Sequence, residues 1–312
     1  MNAITLSTTI KRVNMKFKFS AAIAAALFFM TVAVISCKKE NSSQVKVSDA
    51  EAQTMSQEEA AAEGEYDELT EMGLTAGADM EAGAIDNGRI ATDGNSARIR
   101  IELFVNLKLR LGTCVNITAE PNDTTFPKTI TIDYGNGCLC WDGKFRKGKV
   151  KLHFSAPIRK PGAVITITLQ DYYVNRAHIE GVKTITNLSA NGAISFSVKI
   201  ENGKVTWPNG RGFAYAGIKT VTQVEGMGTL TCLDDVWSIE GRATVTYANG
   251  VTVTKNTESA LIKPVACNWI TKGVLKITIN DRVFTVDFGA GSGCDNKALL
   301  VWANGQVEFT LP

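Results

Sequence analysis

The chain has 312 residues, 45% hydrophobic and 21% charged, with 27 Gly and 7 Pro. That composition is globular and excludes a disordered or collagen-like chain. A formal charge of +2 gives no global attraction for nucleic acid, and two His leave little material for imidazole chemistry.

Residues 19–36 read FSAAIAAALFFMTVAVIS, and Lys16 and Lys18 precede them. A basic flank, an apolar run and small residues at its end describe a secretory signal peptide over residues 1–36. A start at Met15 gives a signal of 22 residues, so residues 1–14 read as an upstream start. The run ends in Val34-Ile35-Ser36-Cys37, which resembles the bacterial lipobox. That resemblance implies that Cys37 is acylated, for example with palmitate, and becomes the first mature residue. Export implies an oxidising compartment in which disulfides persist.

Residues 37–95 read as the lipidated Cys and an acidic tether. Between 41 and 95 there are 13 acidic residues and two basic ones, Lys46 and Arg89. Ser48-Asp49-Ala50-Glu51 has capping-box spacing, and the Ala/Glu/Gln-rich stretch after it favours helix. Tyr66, Leu69 and Met72 recur at helical spacing, and Gly73 and a Gly/Ala-rich run to Gly94 end the stripe. The expectation is a short acidic helix on a tether that lifts the next domain off the membrane. The alternative is a helix that docks on its own chain or on a partner.

Residues 96–312 read as an antiparallel β domain. Ile99, Ile101, Leu103, Val105, Leu107, Leu109 and Leu111 alternate with mostly polar residues, which predicts a half-buried strand over 98–111. The same alternation marks Ile130–Tyr134, Ala243–Tyr247, Leu275–Ile279 and Val307–Leu311. Asn-Gly pairs begin at 136, 191, 202, 209, 249 and 304, and Asp-Gly at 142. Such pairs between alternating runs predict hairpins, because a type I′ turn needs positive φ at both central residues. The fold class is therefore all-β, a hairpin-rich sandwich or barrel-like domain behind a helical or disordered tether. It reads as one unit or as two similar ones. A transmembrane barrel is a third reading, drawn from the long alternation at 98–111.

Two segments echo each other. Cys114 is followed by Asp133-Tyr134-Gly135-Asn136-Gly137-Cys138, and Cys267 by Asp287-Phe288-Gly289-Ala290-Gly291-Ser292-Gly293-Cys294. The echo predicts two equivalent disulfides, Cys114–Cys138 and Cys267–Cys294, and leaves Cys140 with Cys232. The Asp-aromatic-Gly-x-Gly turn is similar to a turn of PKD-type extracellular β domains. It reads as a glycine turn capped by its Asp, with Ca²⁺ at Asp287, Asp295 and Asn296 as the sharper option.

The lipobox-like end, the acidic tether, the Cys-bearing turns, Asp234-Asp235-Val236-Trp237 and Gly293-Cys294-Asp295-Asn296-Lys297-Ala298 together resemble a family of Bacteroidota cell-envelope lipoproteins. The resemblance implies an exported all-β domain held at the outer membrane, periplasmic or surface-exposed. It implies no catalytic residues.

No G-x-S-x-G elbow, H-E-x-x-H or P-loop is present, and no cofactor or metal site is expected. His153 reads as a strand residue and His178 as a turn residue. Asp234 and Asp235, flanked by Glu225 and Glu240, are the carboxylates that a glycan-processing hydrolase would use. Lys144, Arg146, Lys147, Lys149 and Lys151 form a basic ribbon around Phe145. It is the candidate site for an anionic partner: a lipid headgroup, lipopolysaccharide, an acidic glycan or the acidic tether itself. Its plainer reading is an edge strand guarded by Lys. Trp141, Trp207, Trp237, Trp269 and Trp302 are either core residues or a sugar-stacking platform. Asp123-Thr124-Thr125 resembles a short O-glycosylation acceptor motif of Bacteroidota. The expected function is a membrane-anchored, non-enzymatic binding or structural role, with the membrane, an anionic glycan, lipopolysaccharide or another envelope protein as partner and no nucleic acid.

Overall fold

The computed structural model describes residues 62, 64–80, 104–227, 234–267, 269–280, 282–291, 293–303 and 305–310. The signal peptide, Cys37, the Ser48–Glu51 box, residues 96–103 and Cys232 lie outside the described residues. Two helices and fourteen strands follow in chain order among those described. Helix α1 covers residues 64–80, and α2 covers Val105–Leu111.

The strands are β1 (Asn116–Glu120), β2 (Lys128–Asp133), β3 (Cys138–Leu139), β4 (Phe145–Phe154), β5 (Val164–Val174), β6 (Ala177–Asn187) and β7 (Ser195–Thr206). They continue with β8 (Gly212–Glu225), β9 (Val236–Tyr247), β10 (Thr252–Pro264), β11 (Lys272–Ile279), β12 (Arg282–Ala290), β13 (Lys297–Trp302) and β14 (Gly305–Thr310). The architecture is all-β and antiparallel, with sequential strands as neighbours in one open sheet. Strand β3 alone leaves the path and pairs with β4, and β1 and β14 are the two ends.

The alternation of the sequence becomes the alternation of burial. Ile130 and Ile132 of β2, Val150, Leu152 and Phe154 of β4, and Ile165 and Ile167 of β5 are all fully buried on one face. Val245, Tyr247, Leu275 and Ile277 continue that face across β9 and β11. Burying one face and wetting the other is the ordinary economy of an antiparallel sheet.

The turn signals hold where the chain reverses. Asn191 and Gly192 both have positive φ, 53° and 83°, and the Ala193 amide donates to the Ala190 carbonyl at 3.0 Å. That is the two-residue turn that Asn-Gly predicts. Asn202-Gly203 departs from it: the pair sits inside β7, at a register shift between Ile200 and Gly203 against β8. It is a bulge, not a hairpin. A Cβ on Gly203 would lie 2.6 Å from the Tyr215 carbonyl and 2.9 Å from the Tyr66 hydroxyl, so the residue is glycine where α1 lands on the sheet.

Further register shifts fall at Lys147/Lys149, Thr168/Tyr173 and Glu180/Val182. Together they form a row of bulges across β4 to β8, which bends and twists the sheet under the helix.

Helix α1 is packed on the sheet, which is the docking alternative and not a free tether over these residues. Tyr66, Leu69, Met72, Ala76 and Met80 are buried and share one helical face. Tyr66 stacks on Tyr215 of β8 with ring centroids 5.3 Å apart, and its hydroxyl donates to the Glu180 carbonyl of β6 at 2.8 Å. Lys183 of β6, fully buried, donates to the Tyr66 carbonyl.

The strand expected over 98–111 is corrected by α2, because Val105–Leu111 is helical. Leu107 and Leu111 are fully buried one turn apart, while Leu109 is 55% exposed. A period-two run of Leu also contains the i, i+4 pair of a helix, and Leu, Lys and Arg are good helix formers. Asp79 of α1 accepts from the Leu107 amide at 3.0 Å and from Asn106 Nδ2 at 2.6 Å, which supplies the missing cap.

Both disulfides expected from the echo are present, Cys114–Cys138 and Cys267–Cys294, with Cα atoms 5.7 and 5.5 Å apart. Each ties the segment before one strand to the segment after its hairpin partner. The pairing of Cys140 with Cys232 is corrected: Cys140 is a free, buried thiol. Its Sγ lies 3.9 Å from Cys138 Sγ, because both point inward from the β3 segment.

Candidate functional site

The basic ribbon lies on β4 and the turn before it, and the pleat divides it between two faces. Arg146 is fully buried and points inward, whereas Phe145, Lys147 and Lys151 are exposed on the other face. Lys144 shares the inward side with Arg146, so these two cations meet α1.

The acidic residues of α1 take them up. Lys144 Nζ donates to Glu65 Oε1 and Glu68 Oε2, each at 2.8 Å. Arg146 donates to Glu68 Oε1 and, with both terminal nitrogens, to the Asp142 carboxylate at 2.9 and 2.6 Å. Arg110 of α2 reaches Glu71 at 2.5 Å, and Lys219 of β8 reaches Asp67 Oδ1 at 2.6 Å. The anionic partner of the inward half of the ribbon is thus the chain's own acidic helix.

Burial and pairing set the charges. Burial opposes ionisation of Asp142, but the Arg146 guanidinium and the Lys144 amide outweigh it and hold the carboxyl down at about 2. Burial works against the Arg146 charge, and the Asp142 hydrogen bonds and Glu68 more than restore it. Burial pushes Glu65 and Glu71 up against the pull of Lys144 and Arg110. It also raises the Cys140 thiol, despite the Arg146 hydrogen bond, so that thiol is not an activated nucleophile. Tyr134 and Tyr172, with ring centroids 5.9 Å apart, are raised by burial in the same seam.

The outward half of the ribbon is built differently. Lys147 lies over the Tyr173 ring at 5.4 Å, and Lys149 pairs with Asp133 at 2.8 Å. Tyr173 stacks on His178 at 4.4 Å, and His178 is the second residue of β6, not a turn residue. His153, on a strand as expected, meets Thr129 Oγ1 at 3.0 Å.

An apolar corner adjoins this outer face, and the sequence reading missed it. Leu109, Leu139, Trp141 and Phe145 are 55%, 66%, 61% and 44% exposed. Leu139 and Phe145 are direct partners across the β3–β4 ribbon. The Phe145 ring covers Gly137, where a Cβ would lie 2.1 Å from it. The Trp141 ring covers Gly112, where a Cβ would lie 3.0 Å away, and Gly112 ends α2 three residues after Leu109. Disulfide Cys114–Cys138 pins the corner from behind. The only sequence signal was the spacing of Leu139, Trp141 and Phe145 around a tight turn.

The five Trp do not make one platform. Trp237 is buried, and Trp207, Trp269 and Trp302 pack partly buried against the core. The carboxylates do not converge either. Asp235 Oδ1 accepts from Gln223 Nε2 at 2.7 Å, and Asp234 is exposed. Glu225 pairs with Val236, and Glu240 lies four residues farther along β9. That is roughly 13 Å of strand, beyond the reach of a glycosidase pair.

The two Asp-aromatic-Gly turns are identical in their caps. Asp133 Oδ1 accepts from the Gly135 amide and Asp287 Oδ1 from the Gly289 amide, each at 2.8 Å. Asp295 Oδ1 accepts from the Lys297 amide at 3.0 Å. Among the described residues no group of three acidic, His or Cys side chains is placed to hold a metal ion. Asp123 Oδ1 accepts from the Thr125 amide and hydroxyl at 2.8 and 2.6 Å, a local loop cap. No protein-family model matches the chain, and neither a curated protein nor a solved structure shows significant similarity to it.

Proposed function

We propose that this is a lipid-anchored protein of the bacterial cell envelope whose β domain has a non-enzymatic binding or structural role. One observation carries the reading: Val34-Ile35-Ser36-Cys37 closes an 18-residue apolar run behind Lys16 and Lys18. Two disulfides support it, because they belong to an oxidising compartment. The non-enzymatic part is supported by the use of the inward cations. Lys144 and Arg146 hold α1 on the sheet, which is a structural task. Lys147, Lys149 and Lys151 remain on the outer face as the cationic side of a binding surface toward an anionic envelope component.

The test is metabolic labelling of the full chain with an alkynyl fatty acid in a bacterial host, beside the Cys37→Ala variant. Label on the wild type that the variant loses supports the reading. Absence of label from the wild type, or its persistence in the variant, overturns it.

A further inference from the structure

The exposed corner of Leu109, Leu139, Trp141 and Phe145 is an unusual use of large apolar side chains. Single exposed apolar residues are normal, but four on one corner of a sheet mark an interaction site. Phe145 and Trp141 are held in place. Phe145 is fixed by its pairing with Leu139 and by Asn175, whose side chain accepts from its amide at 3.0 Å and whose own amide donates to its carbonyl at 2.8 Å. Trp141 is fixed against Gly112. The corner is therefore a rigid apolar face and not a frayed turn.

Its rim is cationic. Lys147 stands two residues from Phe145 on the same face of β4. Arg176, exposed, follows Asn175 in the turn that brackets Phe145. Lys108, also exposed, precedes Leu109 in α2. Asp142, the acidic residue next to Trp141, is neutralised by the two hydrogen bonds from Arg146, with its side chain 28% exposed. Exposed Trp, Phe and Leu with Lys and Arg as neighbours is the composition of a surface that enters the interface of an anionic bilayer.

The route of the chain agrees. Helix α1 presents Glu65 to Lys144 at 2.8 Å, and Lys144 lies between Trp141 and Phe145 in sequence. The chain that arrives from Cys37 thus joins the fold beside this corner. The 26 residues between Cys37 and Gly64 span at most about 90 Å when extended, so an anchor at Cys37 permits the corner to reach the same membrane.

We propose that Leu109, Leu139, Trp141 and Phe145, rimmed by Lys108, Lys147 and Arg176, dock on the surface of an anionic lipid bilayer. The inference rests on the membrane-anchored reading above and names the surface that the anchored domain meets. The side chains sit at headgroup depth, and the domain lies against the membrane instead of standing off it.

The test reconstitutes the full chain into phosphatidylcholine–phosphatidylglycerol vesicles, with and without brominated acyl chains. The chain is held there by acylated Cys37 or by the apolar run 19–36, so attachment does not depend on which anchor is present. Subtracting the emission of Trp141→Phe from that of the wild type isolates Trp141. Docking predicts that brominated lipid reduces this difference by about twofold or more, less so in high salt, and that Leu139→Ser/Phe145→Ser abolishes the reduction with both disulfides intact. A difference that brominated lipid leaves unchanged overturns the proposal, as does a reduction that survives in Leu139→Ser/Phe145→Ser. Trp141 unquenched by lipid yet shielded from iodide in native membranes assigns the corner to a protein partner and also overturns it. The mass of the Cys37 peptide is read separately: a missing acyl group overturns the lipid anchor and leaves the quenching result standing.

Discussion

Glu68 of α1 and Arg146 of β4 form an ion pair across 78 residues of sequence, with side chains 8% and 0% exposed. Lys144 and Asp142 complete the group, so every charge in the seam has an opposite partner. Breaking a buried pair from one side leaves an uncompensated charge, which is more expensive than losing an exposed bridge. Glu68→Gln is expected to destabilise the fold by about 3 kcal/mol, the low end for such pairs because Asp142 still holds Arg146. Urea unfolding of Glu68→Gln, Arg146→Met and the double variant checks this. The double variant loses less than the sum of the two singles.

Gly73 and Gly77 of α1 face different neighbours. A Cβ at Gly73 meets Ile167 and Ile185 at 3.4 and 3.5 Å, ordinary contact. A Cβ at Gly77 lies 2.7 Å from Ile158 Cγ2 and 3.3 Å from Phe154. Gly73→Ala therefore keeps most of the helix-propensity gain, about 1 kcal/mol of added stability. Gly77→Ala gains the same propensity but forces an overlap, for a net loss of up to about 2 kcal/mol. Thermal unfolding of the two variants, side by side, reads the difference in sign.

Acid acts on Asp142 in a defined direction. Against burial, Arg146 and the Lys144 amide hold its carboxyl at about 2 in the fold, below the ordinary aspartate value of about 3.9. Its contribution is therefore complete above the unfolded value and is lost as pH falls toward the folded one. Burial raises Glu65 and Glu71, so their protonation favours the fold as pH falls and has the opposite sign. Between pH 5 and 2.5, on the order of the range over which carboxylates titrate, the wild type loses more stability than Asp142→Asn. Urea midpoints at the two pH values make the comparison.

Cysteine chemistry separates the three described environments. Cys114–Cys138 closes a span of 24 residues and Cys267–Cys294 one of 27. Removing either bridge as a double Ser variant is expected to lower stability by about 3–4 kcal/mol in the chain-entropy account. Cys140 is 3% exposed and its thiol is raised by burial. Iodoacetamide is expected to label Cys140 only after denaturation, which peptide mass mapping of native and unfolded samples checks.

Much of the fold was legible in the chain because its signals are local. The alternation of Ile130–Tyr134 and Leu275–Ile279 depends on a two-residue period, and the Asn191-Gly192 turn depends on two φ angles. The repeated Asp-aromatic-Gly turns identified both disulfides, because Cys138 and Cys294 each follow one of the two turns. Residues 105–111 defeated the same logic. Apolar residues at every second position suit a strand and a helix alike, and only the burial of Leu107 and Leu111 in the assembled core decides between them.

The sequence by itself determined most of the strands, the turn at Asn191-Gly192, the pairs Cys114–Cys138 and Cys267–Cys294 and the acidic–basic division of the chain, since each is written in neighbouring residues. Tertiary structure alone decided what the charges and the apolar side chains meet. The pleat of β4 turns Arg146 inward to Glu68 and Lys147 outward, and α1 covers one face only. Leu139, Trp141 and Phe145 are left in solvent because no described element covers that corner. Burial and partnership are properties of the assembled sheet, and they convert one basic ribbon into a structural clamp on one side and a surface on the other.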